Sequence, residues 1–577
     1  MVAIMTSLFV STSAFALNSS TPGSVSLTAT FECIGVQATF TGDDNQNNTC
    51  VFKYRKAGDS TWIDAFTPFV DRRTNLGDGS VNSYINQARG SIVGLKANTS
   101  YEVLVTWSDT DGIVGSASST TTVSTLTYTP PATGAQLWVD ASVAAEGTGT
   151  SASPYKTITT ALQNANPGDT INVRAGSYAP FVWSKSGTAN NYIVLKSAAG
   201  NNAIITGGAI NYNIQVNADY LVIDGFRMLN TQLSGVEVKS GHHDIYVQNT
   251  YMPDVGTATT WGSAALTTAG SCHHIYALTN TWITARDSTV LQGLDAWYRL
   301  GDPQSVLVCS DNTISGTFWD AFGGSGAGRG HRDLDMSRNT VSGFIDDGVE
   351  LDGDAINMRI FSNTFNSAGH DCISGAPVYV GPSYVFRNVL RGSETTGVFK
   401  LGIVGGQDGP LYILHNTADS SVNTDGLTAA GGGAYKNVYY YNNINKNKDK
   451  CLAPGIGTAA DNHFDYNVYG TYGSFRVTWN YGETENYYTL ASYQSAKSQD
   501  LHSVDAQTAS LWSDAQYHLL SNSPAVDKGM LIPNFNDAKS AWPFAGVAPD
   551  AGAFEVGTPI TVQAPATPTG FRLVGTP

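Results

Sequence analysis

The sequence predicts an all-β protein, a small antiparallel sandwich followed by a long coil of parallel strands. Three observations predict it. Gly is abundant, at 60 residues, while charged residues make up only 14% of the 577-residue chain, a turn-rich profile. Residues 21–127 hold short alternating apolar runs closed by turn residues. Beyond them an Asn recurs every 24 to 32 residues, a period that belongs to a solenoid. The length itself asks for more than one unit.

The N-terminus is apolar and ends on Ala14-Phe15-Ala16, the small-x-small pattern of a cleaved leader, though without a positive start. Residues 1–16 are expected to be a signal peptide, and the protein to be secreted. The net charge of −16 argues against nucleic acid or anionic membranes as partners. No internal run of 18 apolar residues offers a membrane span. Six Cys are present without a CxxC spacing, so zinc on cysteine is not expected. Cys33 and Cys50 fall in the first unit as a candidate pair. Cys272, Cys309 and Cys372 stand in strand-like contexts and are expected to be buried apolar residues.

In residues 21–127, Ser24–Ala29, Thr49–Tyr54 and Tyr101–Trp107 alternate as strands. The segment Leu95-Lys-Ala-Asn-Thr-Ser-Tyr101 resembles the tyrosine corner of immunoglobulin-like sandwiches, with Trp62 as the candidate core Trp. The whole stretch is similar to a fibronectin type III module. Residues 128–136, Pro-rich at Pro130-Pro131, are expected to be a linker.

The next unit is expected to span 137–557, with a C-terminal linker at 558–577. It opens on Leu137-Trp-Val-Asp140, a helical Ala161-Leu-Gln-Asn-Ala165 and Pro167-Gly-Asp-Thr-Ile-Asn-Val173. Such a helix would cover the open end of a strand stack. This segment resembles the N-terminal cap of the pectate-lyase-like superfamily. The resemblance implies a right-handed parallel β-helix after the fibronectin type III-like sandwich. Ser523–Gly529 and Ala548–Glu555 resemble the closing segment of such proteins. The repeated Asn residues are 249, 280, 312, 339, 363, 388, 416, 442 and 467, and subtraction gives spacings of 31, 32, 27, 24, 25, 28, 26 and 25. A corner Asn on each coil is expected to form an amide ladder.

That ladder supplies a register. Eight residues past the Asn lie Asp320 (312 + 8), Asp347 (339 + 8) and Asp371 (363 + 8), with Asp346 and His370 one position earlier. Three acids should therefore form one column on the outer wall. Close like charges need a shared proton, a cation or a cationic neighbour. The order Trp319-Asp320, Asp346-Asp347-Gly, Gly369-His370 and Phe399-Lys400 resembles the constellation of the polygalacturonases. Trp319, Asp371 and Phe399 depart from that family's pattern. The resemblance implies a glycoside hydrolase: Asp320, Asp346 and Asp347 as acid and base, with Asp371 in the row, His370 sustaining protonation and Lys400 holding a uronate carboxylate.

The reading favoured at this level is hydrolysis of an acidic polysaccharide, either uronic-acid-containing or sulfated, without any required cofactor. The alternative is a lyase using Ca²⁺. Asp320, Asp346, Asp347, Glu350, Asp352 and Asp354 form a dense set of oxygen ligands, and Lys400, His370 or Arg391 would be the base. A glycan-binding solenoid without catalysis is the third possibility, since Asp is common in turns. The Gly-rich run at 323–330 lacks a phosphate-loop ending. It is expected to be a cleft-edge loop that brings Arg329, His331 and Arg332 to an anionic sugar. Trp261, Trp282, Trp297 and Tyr298 are candidates for stacking on sugar rings or for packing.

Overall fold

A computed structural model of the chain describes residues 18–557, apart from 199, 208–209, 256–263, 286–296, 300–304, 324–330, 368, 393–396, 403–408, 422–424, 430–434, 449, 454–460 and 480–484. The expected signal peptide and C-terminal linker lie outside the described residues, as do Trp261 and Arg329.

The first unit is a sandwich of two four-stranded antiparallel sheets. One contains Ser20–Ala29, Ile34–Gly42, Gln87–Ile92 and Phe69–Asp71; the other contains Ile63–Asp64, Thr49–Lys56, Ser100–Ser108 and Ser118–Ser124. Alternation along Ser100–Ser108 turns Tyr101, Val103, Val105 and Trp107 inward. The Tyr101 hydroxyl accepts from the Lys96 N–H at 3.0 Å, which is the expected tyrosine corner. Two expectations fail here. Trp62 is only half-buried, with the Arg55 guanidinium 4.2 Å over its ring, and Trp107 fills the core instead. Cys33 and Cys50 are both free thiols. Cys50 faces the sandwich core, whereas Cys33 packs on the opposite side with Phe361 and Tyr384.

The second unit is the solenoid. Three 13-stranded sheets run its length, and each coil adds one strand to each. One coil reads Met358–Phe361 in the first sheet, Thr364–Asn366 in the second and Ile373–Gly375 in the third. Neighbouring coils pair in parallel. Inward side chains stack on one another, as in the column Ile223, Val247, Ala277, Cys309, Met336, Ile360, Val385 and Ile413. This burial of β-branched and small apolar groups is the main driving force for the coil. Helix Ile158–Asn164 is capped by Thr157, whose side chain accepts from the Thr160 N–H, and buries Ile158, Ala161 and Leu162 in the same core.

The Asn ladder runs along the corner between the first and second sheets. Asn363 accepts at Oδ1 from both the backbone N–H and Nδ2 of Asn339, each at 2.9 Å. Its own Nδ2 donates to the Met336 carbonyl and to Asn388 Oδ1. The same pattern links Asn280, Asn312, Asn339, Asn388 and Asn416. Two rungs differ from expectation by one residue. Asn416 continues to Asn443, not Asn442, and then to Asn467. At the start, Thr250 occupies the rung beside Asn280, while Asn249 turns to Asp224. Replacing Asn363 with Ala would strand two donors of Asn339 and the Met336 carbonyl. At about 1–3 kcal/mol for each buried unsatisfied group, the variant should lose about 3 kcal/mol or more. A chemical-denaturation midpoint equal to wild type would contradict this.

The sandwich lies on the outer face of the first sheet. Phe31 joins a cluster with Tyr246, Tyr276 and Val308, and stacks on Tyr128 at 4.3 Å. Arg338 bridges Glu32 of the sandwich at 2.7 Å and Asp311 of the preceding coil at 2.9 Å. Gly35 comes so close that an added Cβ would stand 1.8 Å from Asp333 Oδ1. The closing segment folds back along the solenoid, placing Ala525 and Ala551 against Ile444 and Val468. Among the described residues, no helix is long and apolar enough to cross a membrane.

Candidate active site

Each coil enters the third sheet through a short turn, and the acids sit at its end. Val349 pairs with Phe322 on one side and Ile373 on the other, so Asp320, Asp347 and Asp371 occupy one column two residues earlier. The contacts agree: the Asp347 N–H donates to Asp320 Oδ1, and the Gly397 N–H donates to Asp371 Oδ1, both at 2.9 Å. The column is not on the outer wall as expected. Asp320, Asp347 and Asp371 are only 6%, 1% and 1% exposed. They lie in the shoulder between two sheets, where backbone N–H groups of the next coil replace water as donors to Asp320 and Asp371.

The outward face of the third sheet supplies the rest. Val349, Ile373 and Phe399 point into the core, so strand alternation turns Glu350, Ser374 and Lys400 outward, and these three pair in register. The Lys400 ammonium forms an ion pair with Asp347 Oδ2. The other oxygen, Oδ1, is buried without a hydrogen-bond partner. One oxygen from each of Asp320, Asp347 and Glu350 falls within 4.8 Å of the others.

This crowding shapes the charges. Burial pushes the Asp347 carboxyl well above the usual carboxylate range; Lys400 pulls against it, and Asp346 and Asp371 add to the push. Burial alone would lower Lys400, but Asp347, helped by Asp371 and Asp352, holds its ammonium above the ordinary lysine value. The strong pair is Asp347 with Lys400, and it keeps that lysine protonated at neutral pH.

The other candidates separate into neighbours and outliers. Asp346 is half-buried, its N–H donating to the Trp319 carbonyl at 3.1 Å, and Trp319 is half-buried on the coil before. His370 is exposed, and its carbonyl accepts from Ser367 Oγ. Asp352 is tied to the next coil by Ser374 Oγ at 3.1 Å and the Ala376 N–H at 2.7 Å. Burial is what raises its carboxyl, against those hydrogen bonds and the charge of Lys400. Ser374, absent from the sequence expectations, is thus the hydroxyl between Glu350 and Lys400. Its only sequence signal is its place two residues after a buried Cys372.

Asp354, His331 and Arg332 lie elsewhere than expected. The strand ends at Glu350, and Asp354 sits in a bend beyond it. Its charge, with that of Asp333, acts on Arg332. Arg332 lies 4.8 Å over the ring of Tyr84 from the sandwich, and the buried His331 accepts at its carbonyl from the Ile356 N–H. The chain after the Gly-rich run therefore enters the first sheet under the sandwich and does not edge the acidic site. Trp282 is fully buried in the core, its Nε1 donating to Thr250 Oγ1 at 3.1 Å. Trp297 and Tyr298 fall in a described strand whose side chains lie outside the described set.

The family described as "Pel9A-like, right handed beta helix region" matches residues 137–288. That match covers about a quarter of the chain, at the start of the solenoid. No curated protein sequence matches the chain. Among solved structures, the chain is similar to pectate lyase Pel9A, with 16% identity and a TM-score of 0.39, covering 74% of this chain and 97% of that one. It is similar to a rhamnogalacturonan lyase at 13% identity and a TM-score of 0.35, covering 66% and 90%. A family 28 exopolygalacturonase from Yersinia enterocolitica is 10% identical with a TM-score of 0.22, covering 80% and 96%.

Proposed function

We propose that the protein is a secreted polysaccharide-degrading enzyme, a lyase that cleaves a uronic-acid-containing polysaccharide by β-elimination. The observation that carries this reading is the meeting of three carboxylates with one lysine. Oxygens of Asp320, Asp347 and Glu350 lie within 4.8 Å of one another, and Lys400 touches Asp347.

Hydrolysis fits the same residues less well. Its two carboxyl groups flank the glycosidic bond at about 6.5–9.5 Å for inversion or about 5–5.5 Å for retention. Here Asp320 and Asp347 are both buried, and Asp347 is already bound to a cation. A general acid must reach the leaving oxygen, and a carboxyl 1% exposed is poorly placed to do so.

The donor set suits a hard divalent cation. Calcium takes carboxylate oxygens at about 2.3–2.6 Å, and the orphaned Oδ1 of Asp347 is a buried acceptor in need of a partner. Asp320, Asp347 and Glu350 would hold the ion, with Asp346 beside them. Bound Ca²⁺ would supply the positive charge that neutralises a uronate carboxylate and so acidifies the adjacent C5 proton. Lys400 projects from the same sheet face and, once deprotonated, would take that proton. The C5–H bond would break with its electron pair forming the C4–C5 double bond, and the C4–O4 bond would break with its pair going to O4, which takes a proton from water and leaves as the hydroxyl end of the released chain. Because Asp347 holds the lysine protonated, the rate should climb as pH rises into the alkaline range.

The test is a panel of uronic-acid and sulfated polysaccharides across pH, with chelator and with calcium restored. The expected result is ultraviolet absorbance of an unsaturated uronate that is abolished by chelator, regained with Ca²⁺, and faster at alkaline pH. New reducing ends without absorbance would support the hydrolase instead.

A further inference from the structure

A second group of ligand-type side chains lies on the first sheet, one and two coils before the coil that carries Asp320. His243 and His273 are paired in register on adjacent coils, and their rings stack with centroids 4.5 Å apart and planes 7° from parallel. Asp244 places Oδ2 2.8 Å from Nδ1 of His243, while its Oδ1 accepts from the Tyr192 hydroxyl at 3.0 Å. One ligand atom from each of His243, Asp244 and His273 falls within 4.8 Å of the others. Nδ1 of His274 meets Nδ1 of His273 at 2.8 Å, and His242 meets Asp219 at 2.9 Å. All three central residues are half-buried.

We propose that His243, Asp244 and His273 form a binding site for a divalent transition-metal ion, with Zn²⁺ as the reference case. Two imidazoles and a carboxylate are a zinc-type donor set, whereas calcium and magnesium prefer oxygen alone. Donors around zinc at about 2.0–2.1 Å stand about 3.3–3.4 Å apart in a tetrahedron, and the ion lies in the plane of each imidazole, so binding requires the stacked His243 and His273 rings to turn out of their parallel arrangement until their nitrogens converge. The Tyr192 hydroxyl on Asp244 and the ring of His274 on His273 supply the outer contacts that fix ligand orientation. The ion would tie two coils together beside the cluster where Phe31 of the sandwich docks, and a ligand that binds only the folded chain raises its melting temperature. The site is separate from the acidic column and does not depend on the lyase reading.

The experiment is equilibrium dialysis of the full chain against micromolar ZnCl₂ in calcium-containing buffer, with metal analysis and a melting curve. The expected result is one zinc per wild-type chain with a raised Tm. Asp320→Asn should retain that zinc, and the double variant H243Q/H273Q should lose it. No zinc on the wild type, or zinc retained by H243Q/H273Q, overturns the proposal. Should H243Q/H273Q not fold, pulsed electron paramagnetic resonance of wild type loaded with one equivalent of Cu²⁺ decides. Two coordinated imidazoles support the site, and one or none overturns it.

Discussion

Lys400→Arg is expected to lower kcat by about 10²–10⁴-fold, the range lost with a general base, while the protein stays folded. Arginine keeps a cation opposite Asp347, so the buried carboxylate is not left unpaired, an omission that destabilises far more than the pair itself contributes. A guanidinium does not deprotonate at accessible pH, so it cannot accept the C5 proton at any point of a pH profile. The variant should therefore lose the alkaline rise along with the rate, with Tm close to wild type. A role limited to holding a substrate carboxylate predicts the opposite pattern: KM would move, kcat would be largely preserved and the pH profile would be unchanged. Steady-state kinetics across pH separate the two.

The second large effect is expected at Asp320. Its Oδ1 accepts from the Asp347 N–H, a bond that the carbonyl oxygen of Asn can also accept, so Asp320→Asn should fold. It removes one formal charge from the three-carboxylate group, and the charge count of a calcium site sets much of its affinity. Even residues that merely orient a ligand cost about 10–100-fold in metal affinity when replaced, so the loss here should reach at least that range. Activity should then require correspondingly more calcium, with kcat recovering as calcium is raised. Calcium titration of the rate measures this, and an unchanged midpoint would place the cation elsewhere.

The fold was legible because a coil repeats its hydrogen bonds. The Asn spacing reports the corner, and equal eight-residue offsets from Asn312, Asn339 and Asn363 placed Asp320, Asp347 and Asp371 in one column. Two rungs slipped because Asn442-Asn443 and Asn249-Thr250 each offer two polar side chains, and only the pairing of Thr417 with Ile444 and of Tyr251 with Thr281 decides between them. The burial of the column was not legible, because it depends on donors from the next coil. His331 and Arg332 were misplaced for a different reason. Their surroundings come from the sandwich, about two hundred and fifty residues earlier in the chain, through the contact of Arg332 with Tyr84. Trp62 and Trp107 were equally eligible for the core by composition, and strand alternation along Ser100–Ser108 selects the second. The pairing of Lys400 with Asp347 needed the inward turn of Phe399, which fixes the outward face of its neighbour.

The chemistry of the cleaved bond tests all of this most directly. Digestion of a uronate polysaccharide in heavy-oxygen water, followed by mass spectrometry of the products, distinguishes elimination from hydrolysis in one spectrum. If Lys400 and the cation-binding acids act as argued, fragments will carry an unsaturated end and no heavy oxygen at the new reducing end. Labelled reducing ends on saturated fragments would mean that water attacked the bond, and the elimination account would be wrong.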